Sequence, residues 1–212
     1  MFKIFAAVLF LLINCQNSLA QSKSLAKFSG QDFLTKNKAD LILVENYLNN
    51  IKSLQADFVQ ETSNGNVVNG KFFLSRPGKM RIEYGQPAPV LIIANGSVLA
   101  YTDLELEETS YLTTNSTPAS FLTRPHFSFL ARDVEITGFS KSADLIKVSV
   151  VKKNKKEAGE FSLVFQTNPL KFIKMEVKND LDETTKVDFT TSKFGGTIDD
   201  KLFVIKNKNL PE

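Results

Sequence analysis

The sequence predicts a mainly β protein with a few helices, built on one long antiparallel sheet of about eleven strands. Apolar and polar residues alternate over most of the chain after residue 53, which is the period of a half-buried strand. Turn signals rich in Gly, Pro and Asn separate these runs. Two stretches depart from this pattern, at 40–53 and 117–130, and predict helical insertions. A sheet this long must curl, because twisted open sheets rarely exceed about ten strands.

The first twenty residues have the pattern of a secretory signal peptide. Lys3 precedes an apolar run over 4–13, and small residues stand at Ser18 and Ala20. This arrangement predicts cleavage after Ala20 and export to the periplasm. Ten apolar residues are too few to cross a hydrocarbon layer, which needs roughly twenty. An acylated Cys15 is the alternative, but Asn14 stands where a lipoprotein signal needs a small residue.

The remaining chain predicts one polar arm and one domain. Residues 21–38 are polar and are expected to form a flexible N-terminal arm, and residues 39–212 are expected to form a single domain. Cys15 is the only cysteine, so cleavage after Ala20 removes all thiol chemistry from the mature protein.

The charge balance gives no reason to expect nucleic acid as a partner. The formal net charge is +3, and loss of Lys3 with the signal lowers it by one to +2. Proteins that bind nucleic acid usually carry a basic patch or stripe. The one charge run, Lys152–Lys156, is interpreted as a solvated hairpin loop. The alternative is a docking site for acidic partners or phospholipid headgroups.

Helical spacing of apolar residues from Asp40 predicts one amphipathic helix that ends near Ser53. In the second insertion, Thr117 is expected to cap a short helix with Pro118 at its first position. Tight turns are predicted at 64–66, at 76–79 and at 95–96, where Gly supplies a positive φ or an Asn-Gly pair favours a hairpin. A last short segment covers Leu202–Ile205.

The predicted sheet has one apolar concave face and few helices to cover it. The inward residues are expected to line a cavity, and the two helical stretches are expected to lie over it as a lid. A filled core is equally compatible with the same periodicity. The expected cavity residues are Ala56, Phe58, Phe72, Leu74, Met80, Ile82 and Tyr84. The expected lid residues are Leu41, Val44, Leu48, Phe121, Leu122 and Phe129.

Nothing in the sequence predicts a catalytic site, a metal site or a cofactor. His126 is the only histidine, and a lone histidine is more often structural or exposed. The sequence contains no nucleophile elbow, phosphate-binding loop or zinc-protease motif. We therefore expect a binding protein rather than an enzyme.

An ordered set of motif residues runs through residues 54–122. Its positions are Leu54, Ala56, Phe58, Gln60, Gly70, Phe72, Leu74, Arg76, Pro77, Arg81, Tyr84, Pro87, Leu91–Ala94, Gly96, Leu99, Tyr101, Thr109–Leu112, Pro118, Phe121 and Leu122. In this set the chain resembles the LolA family, the periplasmic carriers of outer-membrane lipoproteins. The C-terminal end, which reads Leu202-Phe203-Val204-Ile205-Lys206, departs from the family's usual Phe-x-Phe-x-x-Pro pattern.

The resemblance implies an incomplete, half-open β-barrel of about eleven strands, closed by a helical lid over a hydrophobic cavity. The implied cargo is the acyl chains of lipoproteins, received from the inner-membrane Lol ABC transporter and passed to an outer-membrane acceptor. The resemblance also implies that Arg76 latches the lid by bonding to its backbone, and that Met80 lines the cavity. We expect a monomer without a cofactor.

Three alternatives remain at this point. A periplasmic sensor domain for envelope stress can share this half-barrel, although such sensors normally carry a second domain. A carrier of fatty acid, phospholipid or glycolipid would have the same apolar face. An enzyme with an unrecognised site is the third class.

Overall fold

The computed structural model describes residues 36–87, 89–155 and 158–206. Its first element is the helix α1, which precedes the sheet. It spans Lys38–Asn50 and buries Leu41, Val44 and Leu48. The predicted helix is confirmed, but its predicted bounds were wrong: it begins within the expected arm, and Ser53 already lies in a strand. It ends early because the backbone N–H of Arg76 bonds to the Lys52 carbonyl, which commits residues beyond 51 to strand pairing. The predicted signal peptide and residues 21–35 lie outside the described residues.

Eleven antiparallel strands form one open sheet, which confirms the predicted fold class. The spatial order is β6-β5-β4-β3-β2-β1-β11-β10-β9-β8-β7, so every sequential pair is adjacent except β6 and β7. These two strands are the edges, and in the described part of the chain they do not pair to close a barrel. The strands are β1 (Ser53–Thr62), β2 (Val67–Ser75), β3 (Lys79–Tyr84), β4 (Val90–Asn95), β5 (Val98–Asp103), β6 (Glu108–Thr113), β7 (Val134–Lys141), β8 (Leu145–Lys152), β9 (Glu160–Thr167), β10 (Leu170–Lys178) and β11 (Thr184–Phe194).

The insertion between the two edge strands supplies a second helix. A 3₁₀ turn at Thr114–Ser116 precedes the five-residue helix α2, Ala119–Thr123. The predicted Thr117 cap was wrong: Pro118 occupies the N-cap position, and the Thr117 hydroxyl donates to the Thr114 carbonyl at 2.9 Å. Thr117 is used by the preceding turn, so it is not available to the helix. No helix within 36–87, 89–155 or 158–206 has the length and apolar character needed to cross a membrane.

Glycine turns and β-bulges shape the sheet. Gly65 and Gly78 both have φ near +85°, as the predicted turns require. The predicted hairpin at 95–96 is confirmed, although Asn95 still pairs with Val98 and the two-residue loop is Gly96-Ser97. Register shifts interrupt the pairing of β1 with β11, β9 with β10 and β7 with β8. Each shift adds a residue to one strand and bends it, which curls the sheet.

The C-terminal segment covers the convex face of the sheet and does not form a strand. Residues Asp200–Phe203, which overlap the last segment of the sequence analysis, form a 3₁₀ turn. Phe203 is fully buried with Ile93 and Ile198, apart from the main core. The segment is tied down by side chains of the sheet: the Arg81 Nη1 donates to the Leu202 carbonyl at 2.9 Å.

Replacing Phe203 by alanine should detach this segment and lower the free energy of unfolding by about 3–5 kcal/mol, the usual cost of removing a buried Phe ring. Urea denaturation followed by circular dichroism measures the change. Val204→Ala is the control, because Val204 is 54% exposed and should cost well under 1 kcal/mol. Equal stability of both variants would show that the segment does not pack as a folded part of the domain.

Candidate functional site

The concave face of the sheet is apolar and buried, as the sequence predicted for these positions. All the expected sheet-side residues belong to one continuous cluster of packed side chains. Tyr84 alone among them is partly buried rather than buried. The buried members are Ala56, Phe58, Phe72, Leu74, Met80 and Ile82.

The expected lid residues are buried in the same cluster. Tyr47 of α1 contacts the rings of Phe165 on β9 and Phe194 on β11 at 5.9 and 6.2 Å, so α1 lies over that half of the sheet. Helix α2 packs on β2 and β3. Leu130, part of the same predicted apolar stretch, is 74% exposed and takes no part. The buried lid residues are Leu41, Val44, Leu48, Phe121, Leu122 and Phe129.

Phenylalanine rings join the lid to the far half of the sheet. Phe121 stacks on Phe161 of β9 at 5.7 Å between centroids, with the planes 5° apart. Phe127 meets the rings of Phe121 and Phe129 edge-on at 6.2 and 4.8 Å. Lid and sheet therefore pack directly on each other through these rings.

Arg76 bonds to the backbone of both lid helices from the turn between β2 and β3. Its Nε and Nη2 donate to the Arg124 carbonyl at 3.1 and 2.7 Å, and its Nη1 donates to the Leu48 carbonyl. The first carbonyl directly follows α2, and the second lies in the last turn of α1, where it also accepts from the Ile51 N–H at 3.2 Å. A cation is favoured at the C-terminal end of a helix.

The same turn holds α2 by a second bond. The backbone N–H of Gly78 donates to the Thr123 carbonyl at 2.7 Å. Burial of the guanidinium lowers the pKa of Arg76, and the nearby Arg124 lowers it further. A partly buried cation without these acceptors would be strongly unfavourable, so the bonds and the closed position of the lid depend on each other.

Two side chains of α1 bond to the loop after α2, and the sequence reasoning missed them. The Asn49 amide donates to the Phe127 carbonyl at 2.9 Å and accepts from the Phe127 N–H at 2.8 Å. The Glu45 carboxylate accepts from the Phe129 N–H at 2.8 Å. Glu45 and Asn49 are four residues apart, so they share one helix face. That spacing was a usable signal, because polar residues recurring on one face of a covering helix need partners.

Arg124 closes the outer edge of the lid. Its guanidinium lies over the Phe121 ring, 5.3 Å from the centroid, and pairs with Asp133 at 3.0 Å. Partial burial alone would raise the pKa of Asp133, but the hydrogen bond and charge of Arg124 outweigh it and lower that pKa. Arg124 thus fixes the backbone carbonyl that Arg76 uses.

Lys152 is an exception to the interpretation of the lysine run as a solvated loop, which holds for the exposed turn residues Lys153 and Asn154. It is the last residue of β8 and is only 4% exposed. Its Nζ donates to the Asn115 carbonyl at 2.6 Å and lies 5.8 Å from the Phe121 ring centroid. Burial lowers the pKa of Lys152, and the charge of Arg124 lowers it further. Lys152 follows Val148 and Val150 at intervals of two residues on β8, so its side chain points to the same inward face. The charge pattern of the sequence alone does not show this.

A polar pair interrupts the apolar face at the end away from the Arg76 turn. Gln60 is 2% exposed, and its Oε1 accepts from the Tyr84 hydroxyl at 2.8 Å. The Tyr84 ring meets the Phe58 ring edge-on at 5.4 Å. Gly70 makes room between them, because a Cβ there would lie 2.4 Å from the Phe58 ring. The sequence analysis treated Tyr84 as an apolar lining residue, and it named Gln60 as a motif position without assigning it a role in the site.

The site offers binding surface rather than reactive groups. His126 is exposed on the outer side of the lid loop. Among the described residues, no group of three or more His, Cys, Asp or Glu side chains could hold a metal ion. What the arrangement can do is cover or uncover an apolar face.

The architecture defines a class: an open, curled antiparallel sheet whose apolar face is covered by two helices. The family described as "Outer membrane lipoprotein carrier protein LolA" matches residues 49–206, and the chain belongs to the LolA family.

Three relatives share about a quarter to a third of their residues with this chain. The uncharacterized protein RP864 of Rickettsia prowazekii is 26% identical over 82% of this chain and 80% of its own length. An outer-membrane lipoprotein carrier protein of Coxiella burnetii is 31% identical over 75% of this chain and 79% of its own. Another of that name, from Methylococcus capsulatus, is 25% identical over 76% and 80%.

Proposed function

We propose that the protein is a periplasmic carrier that binds the acyl chains of lipoproteins between its concave sheet face and its lid. It receives them from the inner-membrane Lol ABC transporter and passes them to an outer-membrane acceptor, as a monomer and without catalysis or a cofactor. Membership of a carrier family supports this, as do the printed names of two relatives. The predicted signal peptide over residues 1–20 supports the periplasmic location.

The observation that carries the proposal is the way the lid is held. Its apolar residues cover Phe72, Leu74 and Met80. Arg76 and Gly78 of the β2–β3 turn bond to its backbone, and Asn49 and Glu45 join its two parts. Opening this cover gives up these bonds and its apolar contacts, and a ligand that prefers the open state can supply the energy. Acyl chains can provide it, because each buried CH₂ contributes about 0.8 kcal/mol.

Soluble complex formation with a lipoprotein tests the function. The full chain, exported and purified, is mixed with membrane vesicles that contain the Lol ABC transporter and a tagged triacylated lipoprotein. We expect ATP-dependent appearance of a one-to-one soluble complex, and loss of the complex when the lipoprotein's N-terminal cysteine is replaced so that it carries no acyl chains.

Two outcomes would contradict the proposal. The first is equal capture of acylated and unacylated lipoprotein, which would show recognition of protein surface. The second is no capture of lipoprotein, with native mass spectrometry of the exported protein finding a retained fatty acid, phospholipid or glycolipid. That second result would assign the same face to another lipid.

A further inference from the structure

Three polar side chains face the concave side of the sheet away from the Arg76 turn. Gln60 and Tyr84 lie at the far end, and Tyr101 lies nearer the turn, level with Ile82. Gln60 follows Phe58 at the far end of β1, and Tyr84 ends β3. Tyr101 lies across from Ile92, which itself pairs with Ile82, so Tyr101 shares the inward face. The apolar face therefore lies between the Arg76 turn on one side and these polar side chains on the other.

A buried polar side chain on an apolar face needs hydrogen-bond partners, and Gln60 is 2% exposed. The bond from Tyr84 satisfies one acceptor position of Gln60. The amide of Gln60 also carries two N–H donors that this bond does not use, and Tyr101 carries a hydroxyl.

The environment of the two tyrosines keeps them as neutral donors. Burial raises the pKa of Tyr84, and the neighbouring Tyr101 raises it further. Burial also raises the pKa of Tyr101, with Asp103 adding to the effect. Both hydroxyls thus stay neutral. The Tyr84 proton is donated to Gln60 Oε1, so the donors that this bond leaves for a neutral acceptor are the Tyr101 hydroxyl and the Gln60 N–H groups.

We propose that Gln60, Tyr84 and Tyr101 form a polar subsite for the carbonyl groups that link acyl chains to the lipidated cysteine. This inference rests on the proposed function. Ester and amide linkages carry carbonyl acceptors at one end of otherwise apolar chains, which matches donors at one end of an apolar face. The chains extend from this subsite toward Phe72, Leu74 and the lid, so the subsite sets the direction in which cargo lies.

A pair of synthetic lipopeptides tests the subsite. Both carry the same fluorescent peptide and the same chain lengths, but one has ester-linked chains on its glyceryl group and the other has ether-linked chains without those carbonyls. We expect the unmodified protein to bind the ester form about five- to tenfold more tightly, because a site built of donors discriminates against a ligand that lacks the acceptor.

The double variant Gln60→Leu/Tyr84→Phe removes the polar pair while keeping its bulk and leaving neither partner unpaired. We expect the ester preference to disappear, so that the double variant binds the two lipopeptides about equally, with affinity for the ether form unchanged. Tyr111→Phe is the control, since it removes a hydroxyl from an exposed position on the edge strand β6 and should keep the preference. Urea denaturation establishes that each variant is folded.

The possible outcomes distinguish failure of the subsite from failure of the proposed function. Equal binding of the two lipopeptides by the unmodified protein leaves a lipid carrier and overturns the subsite. A preserved ester preference in the double variant likewise overturns it and makes the Gln60–Tyr84 bond structural. Binding of neither lipopeptide refutes the proposed function and the subsite together.

Discussion

Replacing Arg76 by leucine should produce a protein that accepts lipoprotein at least as well as the unmodified chain but hands it on poorly. The closed lid packs on the same face that acyl chains would occupy, so the closed state competes with the ligand. Arg76 stabilises the closed state through the Leu48 and Arg124 carbonyls. Hydrogen bonds that involve a charged group contribute about 1.5–3 kcal/mol each. Losing them favours the open, ligand-bound state.

The expected size of this effect is large. Each 1.4 kcal/mol corresponds to about tenfold in an equilibrium constant. Removal of even one such bond should therefore slow release to an acceptor by about tenfold or more. Arg76→Lys should be an intermediate case, because lysine keeps the charge but loses the planar fork that reaches two carbonyls at once.

Uptake and release have to be measured separately to see this. A purified complex of each variant with a tagged lipoprotein is mixed with acceptor vesicles, and transfer is followed over time. Arg132→Leu is the matched control, because it removes an arginine from an exposed position next to the lid loop. If Arg76→Leu releases cargo at the rate of the unmodified protein, Arg76 is a turn residue and the lid is held by other contacts.

Met80→Glu should abolish lipid uptake. Met80 is 3% exposed on β3, where it pairs with Leu74 and Ala94 in the apolar face beneath α2. A carboxylate there lies among apolar side chains and meets hydrocarbon when acyl chains bind. A buried charge is strongly unfavourable, so at neutral pH the ionised group favours opening the site to water. That response removes the apolar contact that cargo needs.

The neutral variant Met80→Gln separates charge from shape. Glutamine matches glutamate in size, so we expect it to bind with reduced affinity while Met80→Glu does not bind at all at neutral pH. A Glu buried at this site has a raised pKa, so uptake by Met80→Glu should return partly as the pH falls below that value. Val67→Glu, on a strand position 59% exposed, is the surface control. Unchanged uptake by Met80→Glu would place Met80 outside the cargo site.

The sheet was predictable because its information is local. Period-two alternation placed Phe72, Leu74 and Met80 on one face, and each strand of that face obeys it. Turn chemistry was equally local, since Gly78 needs its positive φ whatever lies around it. The helix ends were not predictable to the residue, because the strand partner of Lys52 decided where α1 stops.

The candidate site was predictable in its apolar half and not in its polar half. Hydrophobic residues fill a buried face by a non-directional effect, so knowing the face suffices to name the lining. Hydrogen bonds are directional and join distant parts of the chain, as Asn49 does with Phe127 and Lys152 with Asn115. Their partners cannot be read from spacing along one element.

By itself the sequence determined the antiparallel strands, the apolar face, the helix that could cover it and the arginine in the β2–β3 turn. Only the tertiary structure decided what holds the cover. Arg76 bonds to carbonyls at the C-terminal ends of both helices, and Lys152 points inward although it begins a run of surface charge. The physical reason is the range of the interactions. Periodicity and turn preference act over a few residues, whereas the bonds from Arg76 span 28 and 48 positions and exist only once the sheet has curled.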